Sequence, residues 1–165
     1  MKQWFTACLF VCMTSVCSAQ EPTLRDVFRQ MPDSLLPTLT QNNRLDFLDF
    51  LDAGMKAEVK NRLGGTSEMT ALTADSLSMQ LSSALRVDML LLPLAEPIDS
   101  MNQVIVVGET FLTDSVYGET SVHYYNTNWQ PVPVPPLSEI QQQRIEGFRL
   151  QTILKWGDKI LKKLN

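Results

Sequence analysis

Hydrophobic positions in the first third of the chain recur with a helical period. The pair Thr23 and Asp26 fits a capping box and predicts that a short helix begins after Thr23. Thr40 predicts the start of a longer helix, which would run on to Gly64 and Gly65 as a C-terminal stop. The apolar faces of these two helices are Leu24, Val27 and Phe28, then Leu45, Phe47, Leu48, Phe50, Leu51, Met55, Val59 and Leu63.

After residue 66 the period changes to strict alternation of apolar and polar residues, which is typical of half-buried strands. The alternation, and one run that is apolar on both faces, predict strands near 69–72, 77–82, 85–91, 104–107 and 116–125. Short polar turns separate them, which favours an antiparallel meander over parallel βαβ units. We therefore expect an α+β fold in which the N-terminal helices and a C-terminal helix pack on one face of an antiparallel β-meander of about five strands.

The end of the sequence combines a proline-rich stretch with an amphipathic pattern. Four prolines within 131–137 predict a stiff, extended spacer or an edge. Ser138 and Gln141 fit a second capping box, so a helix is expected over 138–165. A basic stripe runs along one side of this helix, and its apolar half can dock on the protein's own sheet or lie on an anionic membrane. The stripe is Arg144, Lys155, Lys159 and Lys162, and the apolar half is Ile153, Leu154, Trp156, Ile160, Leu161 and Leu164.

The first 19 residues have the pattern of a secretory signal peptide. Lys2 precedes an apolar run that is too short to span a membrane, and small residues at Cys17 and Ala19 fit a cleavage site before Gln20. We expect export to the periplasm or the outer membrane, either as a free protein or as a lipoprotein. No later stretch reaches the roughly 18 apolar residues of a transmembrane helix. The domain proper would then occupy 20–130.

Composition narrows the range of chemistry. The chain has 165 residues, of which 44% are hydrophobic, and a net charge of −4, which argues against a general nucleic-acid binder. The three cysteines, Cys8, Cys12 and Cys17, all lie in the expected leader, so the processed chain would have no disulfide and no thiol nucleophile. The last 27 residues are net basic and the rest of the chain is acidic.

No recognised catalytic or metal-binding motif is present in the sequence. His123 is the single histidine, and Ser121 lies two residues away on the same strand face, too far for a direct nucleophile–base pair. Asp46, Asp49 and Asp52 follow one helix face and are expected to be solvated rather than to bind calcium. We therefore assign no catalytic residue, no metal site and no cofactor.

Aromatic residues give the one candidate binding site. Tyr117, Tyr125 and Trp129 could form an open recognition patch on the sheet or at its rim, because such side chains anchor interfaces and stack on sugars. This favours a non-enzymatic binding or structural module of the cell envelope, with an envelope protein or a glycan as its partner. Two alternatives stay open: a hydrolase that acts on glycan or peptide through paired carboxylates, and a peripheral membrane protein attached by its C-terminal helix.

Several short segments between residues 24 and 132 form a recognisable set. They are Met-Pro-Asp-Ser-Leu-Leu-Pro at 31–37, Asn-Arg-Leu-Asp-Phe-Leu-Asp at 43–49, Asn-Arg-Leu-Gly-Gly at 61–65, Met-Thr-Ala-Leu-Thr at 69–73, Asp-Ser at 114–115, and Tyr-Tyr at 124–125 with Trp129. In these segments the chain resembles an uncharacterised family of small exported proteins from Bacteroides-type bacteria. The resemblance implies export from a Gram-negative bacterium and an α+β domain, and it carries no catalytic residues.

Overall fold

The computed structural model describes residues 21–113 and 116–147, with side chains at all of these positions except 113 and 116–118. The expected leader at 1–19, the Asp-Ser pair at 114–115 and the helix beyond residue 147 lie outside the described residues. The elements are α1 (Leu24–Arg29), a 3₁₀ turn (Asp33–Leu35), α2 (Gln41–Asp52), β1 (Glu58–Lys60), β2 (Thr66–Leu72), β3 (Ser76–Ser82), β4 (Leu85–Ile98), β5 (Met101–Thr113), β6 (Val116–Tyr125) and α3 (139–147).

The strands form one antiparallel sheet in the order β1-β2-β3-β4-β5-β6, so each strand pairs with its neighbour in sequence. The predicted α+β meander is confirmed. The sheet has six strands rather than about five, and the additional strand is β1. It has only three residues, of which Val59 alone faces inward, and this is too short for alternation to be recognised.

The predicted continuation of α2 to residue 63 is wrong. The helix ends at Asp52, and Gly54 then takes a left-handed conformation with φ of 65°, which suits glycine and terminates helices. Gly64, expected as a helix stop, lies instead in the β1–β2 connection with φ of 80°. The buried Asn61 side chain holds that connection, because its Oδ1 accepts from the backbone N–H groups of Leu63 and Gly65.

The larger hydrophobic core lies between α1, α2 and one face of the sheet. The Thr23–Asp26 capping box forms as predicted, and Thr40, predicted as a helix cap, forms a capping box with Asn43. The hydrogen bond from the Thr23 hydroxyl is the main cause that lowers the pKa of Asp26. The buried members of this first core include Leu24, Phe28, Leu36, Leu39, Phe47, Leu48, Leu77, Met79, Leu81, Val87, Met89, Leu91, Ile105 and Trp129.

The positively charged side chain of Arg44 is enclosed at the α2 side of the first core. The residue has 1% of its surface exposed. Its Nη1 lies 2.8 Å from Oδ1 of Asp33, and its Nη2 donates to the carbonyl oxygen of Met31. Arg44 thus attaches the proline-bounded turn before α2 to the helix itself, because a buried guanidinium needs such partners.

The opposite face of the sheet carries a second, smaller core, and this is where α3 docks. The expectation that α3 would share one face with the N-terminal helices is therefore wrong. The physical reason is that β4 and β5 are apolar on both faces, so each face needs a cover. The second core consists of Leu90, Leu92, Val104, Val106 and Ile145, with Leu94, Val122, Tyr124, Val132 and Leu137 packed against it.

Polar contacts attach α3 to the sheet. Nη2 of Arg144 lies 2.8 Å from Oδ2 of Asp75, and Gln141 donates to the carbonyl oxygen of Pro93 at 2.6 Å. Burial raises the pKa of Asp75, but the hydrogen bonds from Arg144 and Thr73 outweigh it, and the net pKa is lowered. Arg144, the first residue of the predicted basic stripe, is therefore used in a contact within the protein.

A buried ion pair interrupts the apolar second face. Arg86 donates from Nε to Oδ2 of Asp88 at 2.7 Å and from Nη2 to Oδ1 at 2.8 Å, and the Ser78 hydroxyl also donates to Oδ1. The Asp88 side chain is 2% exposed and the Arg86 side chain 14%. The hydrogen bond to Asp88 is the main cause that raises the pKa of Arg86.

Candidate functional site

Two adjoining cavities lie at one end of the sheet, between the β4–β5 hairpin tip and the segment that follows β6. The smaller has a volume of about 340 Å³ and the larger about 520 Å³. Asp99, Met101 and Asn126 line both cavities, and we refer to the two adjoining cavities together as the groove. The smaller cavity is completed by Glu21, Pro22, Ser100, Asn102, Gln103, Thr127 and Asn128, and the larger by Ile98, Gln130, Val132, Pro133, Val134, Pro135 and Pro136.

The hairpin tip forms the first wall of the groove. Ile98 pairs with Met101, and the two residues between them, Asp99 and Ser100, have φ of 46° and 68°. Two consecutive left-handed residues match the twist of a two-residue hairpin, where Asn-Gly is the usual choice. Side chains at both positions cost about 1 kcal/mol or more in total. The tip therefore presents the Asp99 side chain from a fixed backbone.

The loop that follows β6 forms the second wall, and Asn126 organises it. The Asn126 Oδ1 accepts from the backbone N–H groups of Asn128 and Gln130, and its Nδ2 donates to Oε1 of Gln130 at 2.9 Å. The Asn126 backbone N–H also donates to the Gln130 carbonyl. Because these bonds use the Oδ1 acceptor twice and one N–H of Nδ2, the Asn126 side chain shapes the loop.

Trp129 anchors this loop to the first core. The residue takes a left-handed φ of 63° and is 6% exposed. Its indole Nε1–H donates to the carbonyl oxygen of Val27 in α1 at 2.8 Å, which joins residues 102 positions apart. The Tyr125 ring lies against the Trp129 ring, with centroids 5.8 Å apart and planes at 53°.

The proline-rich segment forms the third wall. Pro131 pairs with Tyr125, and the Val132 N–H donates to the Tyr124 carbonyl at 2.9 Å, so the segment starts on the edge of β6. Val132 and Leu137 then pack against the second core. Between them, Pro133, Pro135 and Pro136 have no N–H and can only accept hydrogen bonds. The groove thus has a wall of proline rings, which offer no backbone N–H donor at these three positions.

The groove carries negative charge. Glu21 and Asp99 both line the smaller cavity, and among the residues that the structure describes no lysine, arginine or histidine lines either cavity. Gln103 reaches Glu21 across this cavity, donating to Oε2 at 3.5 Å. Both carboxyl-bearing residues are exposed. An acidic, accepting end beside an apolar end suits a ligand that combines an apolar portion with a cation.

The structure places two of the three predicted aromatic residues, Tyr125 and Trp129, together at the first core. Trp129 is in the first core, and Tyr125 is partly buried against that core. Burial is the main cause that raises the pKa of Tyr125, with the Glu109 carboxylate a smaller one. The side chain of Tyr117 lies outside the described residues. Trp129 can be buried because the Val27 carbonyl accepts a hydrogen bond from its indole N–H. The sequence alone does not reveal this long-range contact.

The other polar residues considered from the sequence lie away from the groove. His123 is exposed and Ser121 partly exposed on β6, next to Val107 and Glu109 of β5. Asp46 and Asp49 are exposed on α2, while Asp52 pairs with Arg25 at 2.6 Å. In the described part of the chain, no cluster of three or more metal-ligating side chains occurs, and no helix is long and apolar enough to cross a membrane.

The sequence did not predict the groove itself, because its lining comes from three separated stretches of the chain, 21–22, 98–103 and 126–136. One signal was available: Asn126 starts an Asn-Thr-Asn-Trp-Gln stretch directly after a strand, and asparagine favours such turns. The prolines that follow then predict an extended wall.

Comparison with known proteins identifies the family to which the chain belongs. A solved domain of an uncharacterised protein from Porphyromonas gingivalis W83 is 27% identical in sequence, with a TM-score of 0.54. The match covers 72% of this chain but only 59% of that domain, so the chain spans less than two thirds of its solved neighbour. A search of curated proteins found no match. The model of a family described as a protein of unknown function, DUF3256, matches residues 16–156, and the chain therefore belongs to the DUF3256 family.

Proposed function

We propose that this protein is an exported, non-enzymatic binding module of the bacterial cell envelope, and that its groove holds an extended segment of a partner protein. The observation that carries the proposal is the pair of adjoining cavities at the end of the sheet, which share Asp99, Met101 and Asn126. Grooves of several hundred Å³ with apolar walls and a few fixed polar groups are the usual form of binding sites.

The walls support binding without rearrangement. The Asn126 loop is fixed by its own side-chain hydrogen bonds, the hairpin tip by strand pairing, and the proline segment by the edge of β6. A preformed site loses little conformational entropy when the ligand enters, so more of the contact energy appears as affinity. In this account Trp129 and Tyr125 support the loop from beneath rather than touch the ligand.

The chemistry of the walls favours a polypeptide. Pro133, Pro135 and Pro136 have no backbone N–H, so at these positions the segment can only accept hydrogen bonds. An extended partner chain can donate such bonds from its own N–H groups. Ile98, Met101, Val132 and Val134 provide apolar contacts, and Glu21 with Asp99 provides the negative end. The partner segment we propose is extended, with an apolar residue next to a lysine or arginine.

Selection from a phage-displayed library of random peptides tests this proposal. We expect the selected peptides to combine valine, leucine or proline with an adjacent lysine or arginine. Asp99→Lys should weaken their binding about tenfold or more, because it replaces an attractive charge by a repulsive one. Asp46→Lys on α2 makes the same charge change away from the groove and should leave binding unaltered. Failure to enrich any peptide, or equal binding by both variants, would contradict the proposal.

A further inference from the structure

The outer edge of β6 is a second surface, separate from the groove, with unused backbone groups. The Tyr124 carbonyl accepts from Val132 on this outer side, so alternate residues back along the strand, Val122 and Thr120, also direct their N–H and C=O groups outward. Within the described residues no backbone partner meets Val122 or Thr120 there. By contrast, the opposite edge is the three-residue β1, in which Glu58 and Lys60 are exposed, an arrangement that discourages pairing.

Two copies of β6 have complementary sequences when they pair antiparallel with Ser121 of one copy opposite Ser121 of the other. In that register Glu119 of each copy lies opposite His123 of the other copy, so the two-fold symmetry produces this pair twice. Residues directly opposite have Cβ atoms about 5 Å apart, within reach of a hydrogen bond from the imidazole N–H to the carboxylate. Glu119 and His123 are both exposed.

The hydrogen-bonding pattern agrees with the same register. With Ser121 opposite itself, Thr120 lies opposite Val122 of the other strand, and these are the residues whose N–H and C=O groups point outward. Two such pairs, related by the two-fold axis, form four backbone hydrogen bonds. Both residues are β-branched and suit strand pairing.

The rest of the chain sets the limits of the pairing. From Tyr124 onward the edge is already occupied by Pro131 and Val132. A second β6 must therefore leave the edge before its own Glu119, and the residue at that point is Gly118, the type that most readily permits a bend. We propose that residues 119–123 of two copies pair antiparallel about Ser121, joining two six-stranded sheets into one.

Disulfide trapping tests the register directly. In the full chain with Cys8, Cys12 and Cys17 replaced by serine, Ser121→Cys brings two thiols together at the two-fold axis. A non-hydrogen-bonded antiparallel pair has Cα atoms about 4.5 Å apart, which a disulfide can bridge. We expect covalent dimer to form about tenfold faster than for Ser83→Cys, an exposed control in the β3–β4 turn, because pairing raises the effective thiol concentration. Equal rates for the two variants would overturn the proposal.

A charge exchange separates this pairing from any other association. His123→Glu places two carboxylates opposite each other twice and should weaken the dimer about tenfold in sedimentation equilibrium. Adding Glu119→Lys to it restores opposite charges and should restore the dimer. Asp49→Lys on α2 is the matched control for added positive charge and should change nothing. A dimer that ignores His123→Glu, or a double variant that is not rescued, would contradict the assigned register, and a chain that stays monomeric at high concentration would overturn the pairing itself.

Discussion

Asp88→Ala is expected to lower the free energy of unfolding by about 3–5 kcal/mol. The substitution leaves the largely buried Arg86 guanidinium without its carboxylate partner, and its remaining hydrogen bond among the described residues is a long one to the Ser78 hydroxyl, at 3.5 Å. A buried charge without its counterion cannot recover the solvation that it lost on folding. Denaturant-induced unfolding, followed by circular dichroism, measures the change.

A double variant isolates the cause. Replacing the pair by apolar residues, Arg86→Met with Asp88→Leu, removes both charges and should come within about 1–2 kcal/mol of the wild type or exceed it. If Asp88→Ala alone changed stability by less than about 1 kcal/mol, the pair would be behaving as an exposed salt bridge, contrary to its burial.

Trp129→Ala is expected to cost about 3–5 kcal/mol as well. It removes a large side chain from the first core and the hydrogen bond to the Val27 carbonyl. Because Trp129 holds the Asn126 loop, the change should also loosen one wall of the groove, visible as faster hydrogen exchange at residues 126–130.

Trp129→Phe is the matched variant for this residue. It keeps most of the packing but not the indole N–H, so its cost should be smaller, about 1–3 kcal/mol from the unpaired carbonyl and the lost volume. Equal stability of Trp129→Ala and the wild type would show that the loop is not anchored through this side chain.

The strands were predictable where one face of the sheet differs from the other. Leu77, Met79 and Leu81 alternate with polar residues, and they lie in the first core as expected. The faces of β4 and β5 were harder, because both are apolar, and only the structure shows that α3 covers the second one. Strand β1 was not predicted because a strand of three residues is too short to show alternation. In addition, Met55, Val59 and Leu63 are spaced four residues apart, which fits the period of a helix.

The candidate site was less predictable than the fold. A groove made by residues 21–22, 98–103, 126–128, 130 and 132–136 depends on contacts between distant segments, which local patterns do not record. Large aromatic residues in a sequence suggest a binding site, yet the indole of Trp129 forms a hydrogen bond within the protein, to Val27, 102 positions away. Asp99 carried no signal, because its importance comes from a left-handed hairpin tip where glycine would be usual.

Photo-crosslinking in living cells tests most directly whether the groove binds a partner. A photoreactive amino acid is placed at Met101, which lines both cavities, and in a separate variant at Met55, which is 54% exposed beyond the end of α2. We predict a discrete, protease-sensitive product of higher mass from position 101 and none from position 55. No product from position 101, or the same product from both positions, would contradict it.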